Sequence, residues 1–337
     1  MSVVNFIPLT ASDLTQADEA AVLAAIATSA WQDESLLQRW EEMWQHCWQR
    51  PAVVFASADQ LMAALATALG WQAGDWLAAD GLLEPPWRQA CEALWLRLGW
   101  LDIDPTTGIS PVVLPEVYDR KPRAWLRCHS FGQIAPLPPP SLCHATIEIC
   151  SAIPTPIDGC GQADFQIIGC DGNQAITAGA ACVLLGHDDA LMQQIRCLRP
   201  AIANTLSCAM GLSRLRQWPL LARRRAELAQ RYLESLRPYG LFELPLPTTE
   251  QPRVWLRFVL SWHDAADRLA LQQFLSRAGI STDLPLWYRV PQHSHLPGMQ
   301  QFLQRALALP LFASLAEQQQ KRIINRIHRW INRRIRV

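Results

Sequence analysis

Short apolar runs alternate along this chain with stretches in which apolar positions recur every three or four residues. Residues 11–50 read as helical, with Leu36, Leu37, Trp40, Met43, Trp44 and Cys47 at helical spacing. A strand follows at 52–56, then a compact helix over 59–69 that Gly70 ends as a C-cap. The pattern continues with a strand at 76–80, a helix at 87–98, and a strand at 100–104 stopped by Pro105. Apolar runs at 124–128, 145–150, 165–169 and 181–185 read as buried strands. A helix at 188–198 and a long helical region at 203–236 come next. Near Pro238-Tyr239-Gly240 the character changes. Strand-like runs, a helix at 264–278, a Pro- and His-bearing loop at 284–297 and a closing helix at 312–335 complete the chain.

Strands alternating with helices predict an α/β domain built on a mostly parallel sheet over 1–237, the N-terminal segment included. A smaller α+β domain is expected over 238–337. No internal repeat or low-complexity tract is present.

Composition narrows the picture. Of 337 residues half are hydrophobic and 18% charged, which excludes a disordered chain. No apolar run is long enough to span a bilayer, and no secretory signal is visible at the start, so a cytoplasmic protein is expected. Ten cysteines without a regular framework fit reduced thiols. The formal net charge of zero hides an asymmetry: residues 1–200 are acidic and residues 201–337 strongly basic. That split suits self-association or an acidic protein partner and is too diffuse to indicate nucleic acid. The last segment, KRIINRIHRWINRRIRV, sets Ile323, Ile324, Ile327, Trp330, Ile331 and Ile335 on one helical face and Arg322, Arg326, Arg329 and Arg333 elsewhere. Packing on the small domain is the first expectation for it, with docking to an acidic protein or anionic lipid as the alternative. Only two of the basic residues are lysines, Lys121 and Lys321.

Cys128-His129 and Cys143-His144 are adjacent pairs, but there is no CxxC knuckle and no HxxxH pair, so no metal site is expected. His293-Ser294-His295 reads as a surface loop.

Six segments, in order, carry a resemblance. They are ALATALGWQAGDW (64–76), WLDIDPTTG (100–108), HSFGQ (129–133), GNQAITAG (172–179), CAMGLSRLRQWPLLARRRAELAQRYLESL (208–236) and LALPLFASLAEQQQKRIINRI (307–327). Together they make the chain resemble the DegT/DnrJ/EryC1/StrS family of sugar aminotransferases. The resemblance implies the type I fold of enzymes that use pyridoxal phosphate, a homodimer, and a place beside surface-polysaccharide or amino-sugar biosynthesis.

The same resemblance exposes departures. Gln174 stands where the family has the lysine that forms the Schiff base, and a carboxamide nitrogen is neither a nucleophile nor a base. Ile149 replaces the aspartate that partners the cofactor ring nitrogen, and Glu148 beside it points to the other face of its strand. Ala56, Ser57, Ala58 and Asp59 replace the phosphate-binding hydroxyls at a helix start, and Gly169 replaces a serine. The loop that carries an asparagine to the partner subunit is shortened around Arg196–Pro200. These departures lead to the expectation of a degenerate homologue without catalytic residues or cofactor. Its relic pocket is formed by Ala56, Ala58, Asp59, Gly169, Asn173 and Gln174. Ligand-lining candidates are His129, Glu148, Asp171, Asn173 and Gln174. Such a protein would act as a binding, scaffold or regulatory partner, for instance of an active aminotransferase paralogue. The alternative is an active enzyme of the same family that binds pyridoxal phosphate or a nucleotide sugar and runs altered chemistry.

Overall fold

A computed structural model describes residues 6–335, apart from 29, 115–119, 154, 157, 159, 173, 246–252 and 287–295. Two helices open the chain, α1 (Gln16–Ala27) and α2 (Glu34–Trp48). The region read as continuously helical is thus broken, because Asp33 caps a new helix by accepting from the Ser35 and Leu36 amides. Then come β1 (Ala52–Phe55), α3 (Ala58–Ala68), β2 (Trp76–Asp80), α4 (Pro85–Ala93), β3 (Arg97–Leu101), β4 (Ala124–Cys128), β5 (Thr146–Ile149), β6 (Phe165–Gly169) and β7 (Cys182–Gly186).

These seven strands form one sheet in the order β1-β7-β6-β5-β4-β2-β3. β2 to β6 pair in parallel, and β7 runs antiparallel to both of its neighbours. The mostly parallel sheet expected from the alternation is present. Its two faces are covered separately. Trp40, Trp44, Trp48, Leu212 and Trp218 pack on one, and Leu61, Leu65, Trp87 and Ile195 on the other. Such double coverage explains why the strands read as unbroken apolar runs.

Two boundaries differ from the sequence reading. The helix expected at 87–98 is α4, which ends at Ala93, and the strand expected at 100–104 is β3, which starts at Arg97. Trp95 turns the chain with φ 56°, a left-handed conformation for which this residue type gives no sequence signal.

After α5 (Asp189–Cys197), the 32-residue helix α6 (Thr205–Leu236) starts from an Asn204 cap that accepts from the Ser207 amide at 2.9 Å. Its first half packs on the large sheet through Leu212, Leu215 and Trp218. Its second half joins a different core through Leu228, Tyr232 and Leu236. That second core is built on β8 (Phe242–Glu243), β9 (Phe258–Trp262), α7 (Ala265–Arg277), α8 (Pro297–Arg305), β10 (Ala306–Leu309) and α9 (Glu317–Ile335). Its three strands are antiparallel, in the order β10-β9-β8. Ile7 pairs with Ile280 and is buried in this second core, so this early residue packs with the small sheet. On α9, Ile323, Ile327 and Ile331 are fully buried, and Trp330 meets Trp262 edge-on at 5.6 Å. The apolar face of the basic helix is therefore spent on domain packing. Among the described residues no helix is long and apolar enough to cross a membrane.

Candidate functional site

Parallel strands of an α/β sheet leave a crevice beyond their carboxyl ends. Here the ends of β2, β4 and β5 deliver Leu82, Glu84, Cys128, His129 and Ile149 to such a cleft. Ser151 and Gln174 lie beside them, and Leu256, Arg257 and Pro285 cover it from the small-sheet side. Glu84 is the residue before Pro85, at the N-cap position of α4, yet its side chain makes no capping bond. Its carboxyl turns inward instead. Oε1 accepts from Gln174 Nε2 at 2.7 Å, and Oε2 from the indole Nε1 of Trp87 at 3.3 Å. Burial, with Asp171 nearby, pushes the Glu84 carboxyl up to about 7 against the pull of these hydrogen bonds.

A second recess lies at the start of α3. It is lined by Ser57, Ala58, Asp59, Trp87, Gly169 and Asp171. Ser57 caps α3 by accepting from the Gln60 amide, and Asp59 occupies the first turn. Trp87 is buried, with its ring 3.3 Å from where a Cβ on Gly169 would stand. The Glu84 carboxyl thus joins the wall of one recess to that of the other.

The sequence-derived candidates separate accordingly. His129, Ile149 and Gln174 line the cleft, whereas Ala58, Asp59, Gly169 and Asp171 line the second recess. Ala56 follows β1 and lines neither. Asn173 and His293-Ser294-His295 lie outside the described residues. Glu148 does not line the cleft. Ile149 faces it, and strand alternation turns Glu148 to the opposite face of β5. There the Glu148 carboxylate accepts from His129 Nε2 at 3.2 Å, from the Gly161 amide at 2.8 Å and from Gln166 Nε2 at 3.0 Å. Cys150 shares that face, with its Sγ 3.6 Å from Cys160 Sγ. The Cys160 thiol is pulled down to about 6 by the Cys150 and His129 hydrogen bonds, which outweigh burial.

Sequence reasoning missed Glu84, Ser151 and Arg257 in the cleft. It also missed Asp80, whose carboxylate holds Arg127 at 3.1 Å and the Cys128 amide at 2.8 Å and so fixes the end of β4. Lys121 donates to the Pro140 carbonyl at 2.7 Å, and Lys321 pairs with Glu317 on α9 at 3.0 Å. The lysine-linked form of pyridoxal phosphate therefore does not fit the residues present, because the cleft offers it no amine.

A model of the DegT/DnrJ/EryC1/StrS aminotransferase family matches residues 203–328. Among solved structures, the aminotransferase TlmJ from Streptoalloteichus hindustanus superimposes with a TM-score of 0.83 at 21% identity, covering 97% of this chain and 98% of its own. PseC from Helicobacter pylori, an aminotransferase involved in the biosynthesis of pseudoaminic acid, reaches 0.84 at 15% identity, with 97% and 99% covered. NtdA from Bacillus subtilis, solved with bound cofactor PMP (pyridoxamine phosphate), reaches 0.81 at 17%, with 95% and 83% covered.

The last of these corrects one expectation. The inference that the cofactor is lost rested on the missing lysine together with the changed ring-nitrogen, phosphate and partner-loop positions, yet a neighbour of the same fold holds the cofactor as an amine. An amine needs no imine bond to a lysine, so the substitution at 174 removes one covalent link and does not establish loss of the cofactor. The chain carries the fold of the sugar aminotransferases and, over residues 203–328, the sequence pattern of the DegT/DnrJ/EryC1/StrS aminotransferase family.

Proposed function

We propose that this chain is a catalytically degenerate homologue of the sugar aminotransferases that binds rather than transaminates. It would serve as a binding, scaffold or regulatory protein, as a homodimer, beside surface-polysaccharide or amino-sugar biosynthesis. The observation that carries the reading is the Gln174–Glu84 hydrogen bond of 2.7 Å. At the position where relatives need a nucleophilic amine, this chain has a carboxamide tied to a buried carboxyl. Both lysines are engaged elsewhere.

The test is turnover. Purified protein is incubated with pyridoxal phosphate, an amino donor such as glutamate and a nucleotide-linked keto sugar. The expected result is no amino sugar above the protein-free background. Amino-sugar formation that scales with protein concentration overturns the proposal. Calorimetric titration with nucleotide sugars then measures what the cleft binds.

A second reading, an active enzyme with altered chemistry, is favoured by Glu84. A carboxyl held at about 7 can give or take a proton near neutral pH. On that reading a cofactor in its amine form would supply the amino group or the electron sink. Glu84 would hold or move the proton at its carboxyl, while Gln174 orients it. Loss of an observed turnover in Glu84→Gln, with the fold intact, separates this reading from the first.

A further inference from the structure

The far face of β5 carries a buried cluster that meets the cleft only at His129. His129, Glu148, Cys150 and Cys160 are all buried, and one donor atom from each lies within 4.8 Å of the others. The four come from three segments: the end of β4, the end of β5 and the loop before β6. Glu148 and Cys150, two residues apart, project from the same side of β5. Cys160 is delivered by a turn at Gly161, where φ is +85° and an added Cβ would meet the Trp48 ring at 2.9 Å. Only glycine fits this close approach.

We propose that this cluster is a structural site for a thiophilic divalent cation of the zinc class, bound by Cys150 Sγ, Cys160 Sγ, Glu148 Oε1 and His129 Nε2. Two of the six ligand–ligand separations match the edges of a coordination tetrahedron, and all six lie within 4.8 Å. Zinc–sulfur bonds of ~2.3 Å give an S···S edge of about 3.8 Å, and nitrogen and oxygen bonds of ~2.0 Å give edges of about 3.3 Å. The observed Sγ···Sγ and Nε2···Oε1 separations are 3.6 and 3.2 Å.

The surroundings complete the site. Glu148 Oε2 is held by the Gly161 amide and by Gln166 Nε2, leaving Oε1 for a metal. Outer hydrogen bonds of this kind orient metal ligands. Arg50 donates to Gln166 Oε1 at 2.6 Å and to the Gly161 carbonyl, and it interacts electrostatically with Glu148, Cys150 and Cys160. Two thiolates and one carboxylate are then balanced by a divalent ion and one guanidinium, so the buried assembly is neutral. A buried site without such balance would be costly.

Two hydrogen bonds of the His129 ring oppose the metal, the one to Glu148 Oε1 at 3.2 Å and one from the backbone. The Ala135 amide donates to His129 Nδ1 at 3.1 Å, which leaves the ring proton on Nε2 in the metal-free chain. Ligation through Nε2 moves that proton to Nδ1 and sacrifices both hydrogen bonds. Two hydrogen bonds are a small fraction of what a structural zinc supplies.

The experiment uses the full chain, purified under reducing conditions without chelator, then stripped and titrated with Co²⁺. One equivalent is expected to bind, with thiolate-to-cobalt charge-transfer absorption that Zn²⁺ abolishes. Zinc is also expected to raise Tm. Gln166→Leu, which removes an outer contact and no ligand, is expected to weaken zinc about 10–100-fold. Cys160→Ser is expected to abolish the charge-transfer band and the Tm shift, whereas Cys197→Ser at an exposed thiol leaves both unchanged. Wild-type protein that binds no stoichiometric metal, a zinc-induced Tm shift that survives Cys160→Ser, or a Cys150–Cys160 disulfide under reducing conditions each overturns the proposal. None of these readouts depends on turnover.

Discussion

Replacing Glu84 by Gln isolates the energetic weight of the carboxyl at the centre of the cleft. Gln keeps the shape, and its one carbonyl oxygen can still accept the 2.7 Å bond from the Gln174 amide, while its NH2 replaces the acceptor of the longer 3.3 Å contact from the Trp87 indole. What changes is the ability to ionise. In the fold this carboxyl titrates at about 7, against 4.5 for an unperturbed glutamate. At about 1.4 kcal/mol per pH unit, that gap corresponds to about 3 kcal/mol. The sign follows from which state keeps the proton. Below about pH 4.5 folded and unfolded chains are both protonated at this position, and the native state carries no penalty. Between 4.5 and about 7 the unfolded chain ionises first, so the wild type loses stability as pH rises. Above about 7 the loss is complete. Glu84→Gln lacks this titration and shares all others with the wild type. The difference between the two proteins therefore reports the single group. Urea unfolding at pH 5 and pH 8.5 is expected to find the pair within about 1 kcal/mol of each other at the lower pH. At the higher pH the variant should be more stable by about 2–3 kcal/mol. An equal difference at the two pH values would refute the reasoning, because it would mean that the carboxyl is ionised in the fold at its ordinary pKa.

Other perturbations follow from the same geometry. Asp80→Ala leaves the fully buried Arg127 guanidinium without its carboxylate, and a loss of about 3–5 kcal/mol is expected in urea unfolding. Gly211→Ala places a Cβ 2.1 Å from Trp40 Cζ2 at the α2–α6 crossing; about 1–3 kcal/mol of destabilisation and a lower Tm are expected, and an unchanged Tm would show that Trp40 moves freely. Ile327→Ala empties a fully buried position on α9 and should cost about 2–5 kcal/mol. A negligible cost there would mean that α9 is not packed on the small sheet. Gln174→Lys sets an ammonium beside Glu84 and holds its carboxyl ionised, so the fall in stability from pH 5 to pH 8.5 is expected to shrink.

The large sheet was legible because its strands are buried on both faces and show as apolar runs with little interruption. Helix ends were less so. The end of α4 depends on Trp95 adopting a left-handed conformation, and nothing in an indole announces that. In the cleft, Gln174 stood out because the GNQAITAG segment resembles the one in which the family carries its cofactor lysine. Glu84 did not, since a glutamate before two prolines reads as a solvated helix start, and its partner lies 90 positions further along. The buried His129–Glu148–Cys150–Cys160 group escaped for a related reason. Metal signatures in sequence rely on ligands from one turn, whereas these reach one point only after β4, β5 and the loop before β6 are in register. Glu148 was correctly turned to the far face of its strand by alternation. Its inclusion among the cleft residues contradicted that same alternation, and the sheet decides in favour of the alternation.

Helix α6 threads both cores. Its 32 residues make a rod of about 48 Å at the usual rise. Trp218 anchors one half in the large sheet's packing and Leu228 the other half beside the small sheet, with Pro219 between them. A proline there cannot donate to the Leu215 carbonyl, which makes that turn the most compliant point along the rod. Any swing of the small sheet over the cleft must bend α6 at this joint or drag Trp218 out of its seat. Movement of the mouth above Glu84 and Gln174 is thus coupled to one peptide unit that lines neither recess.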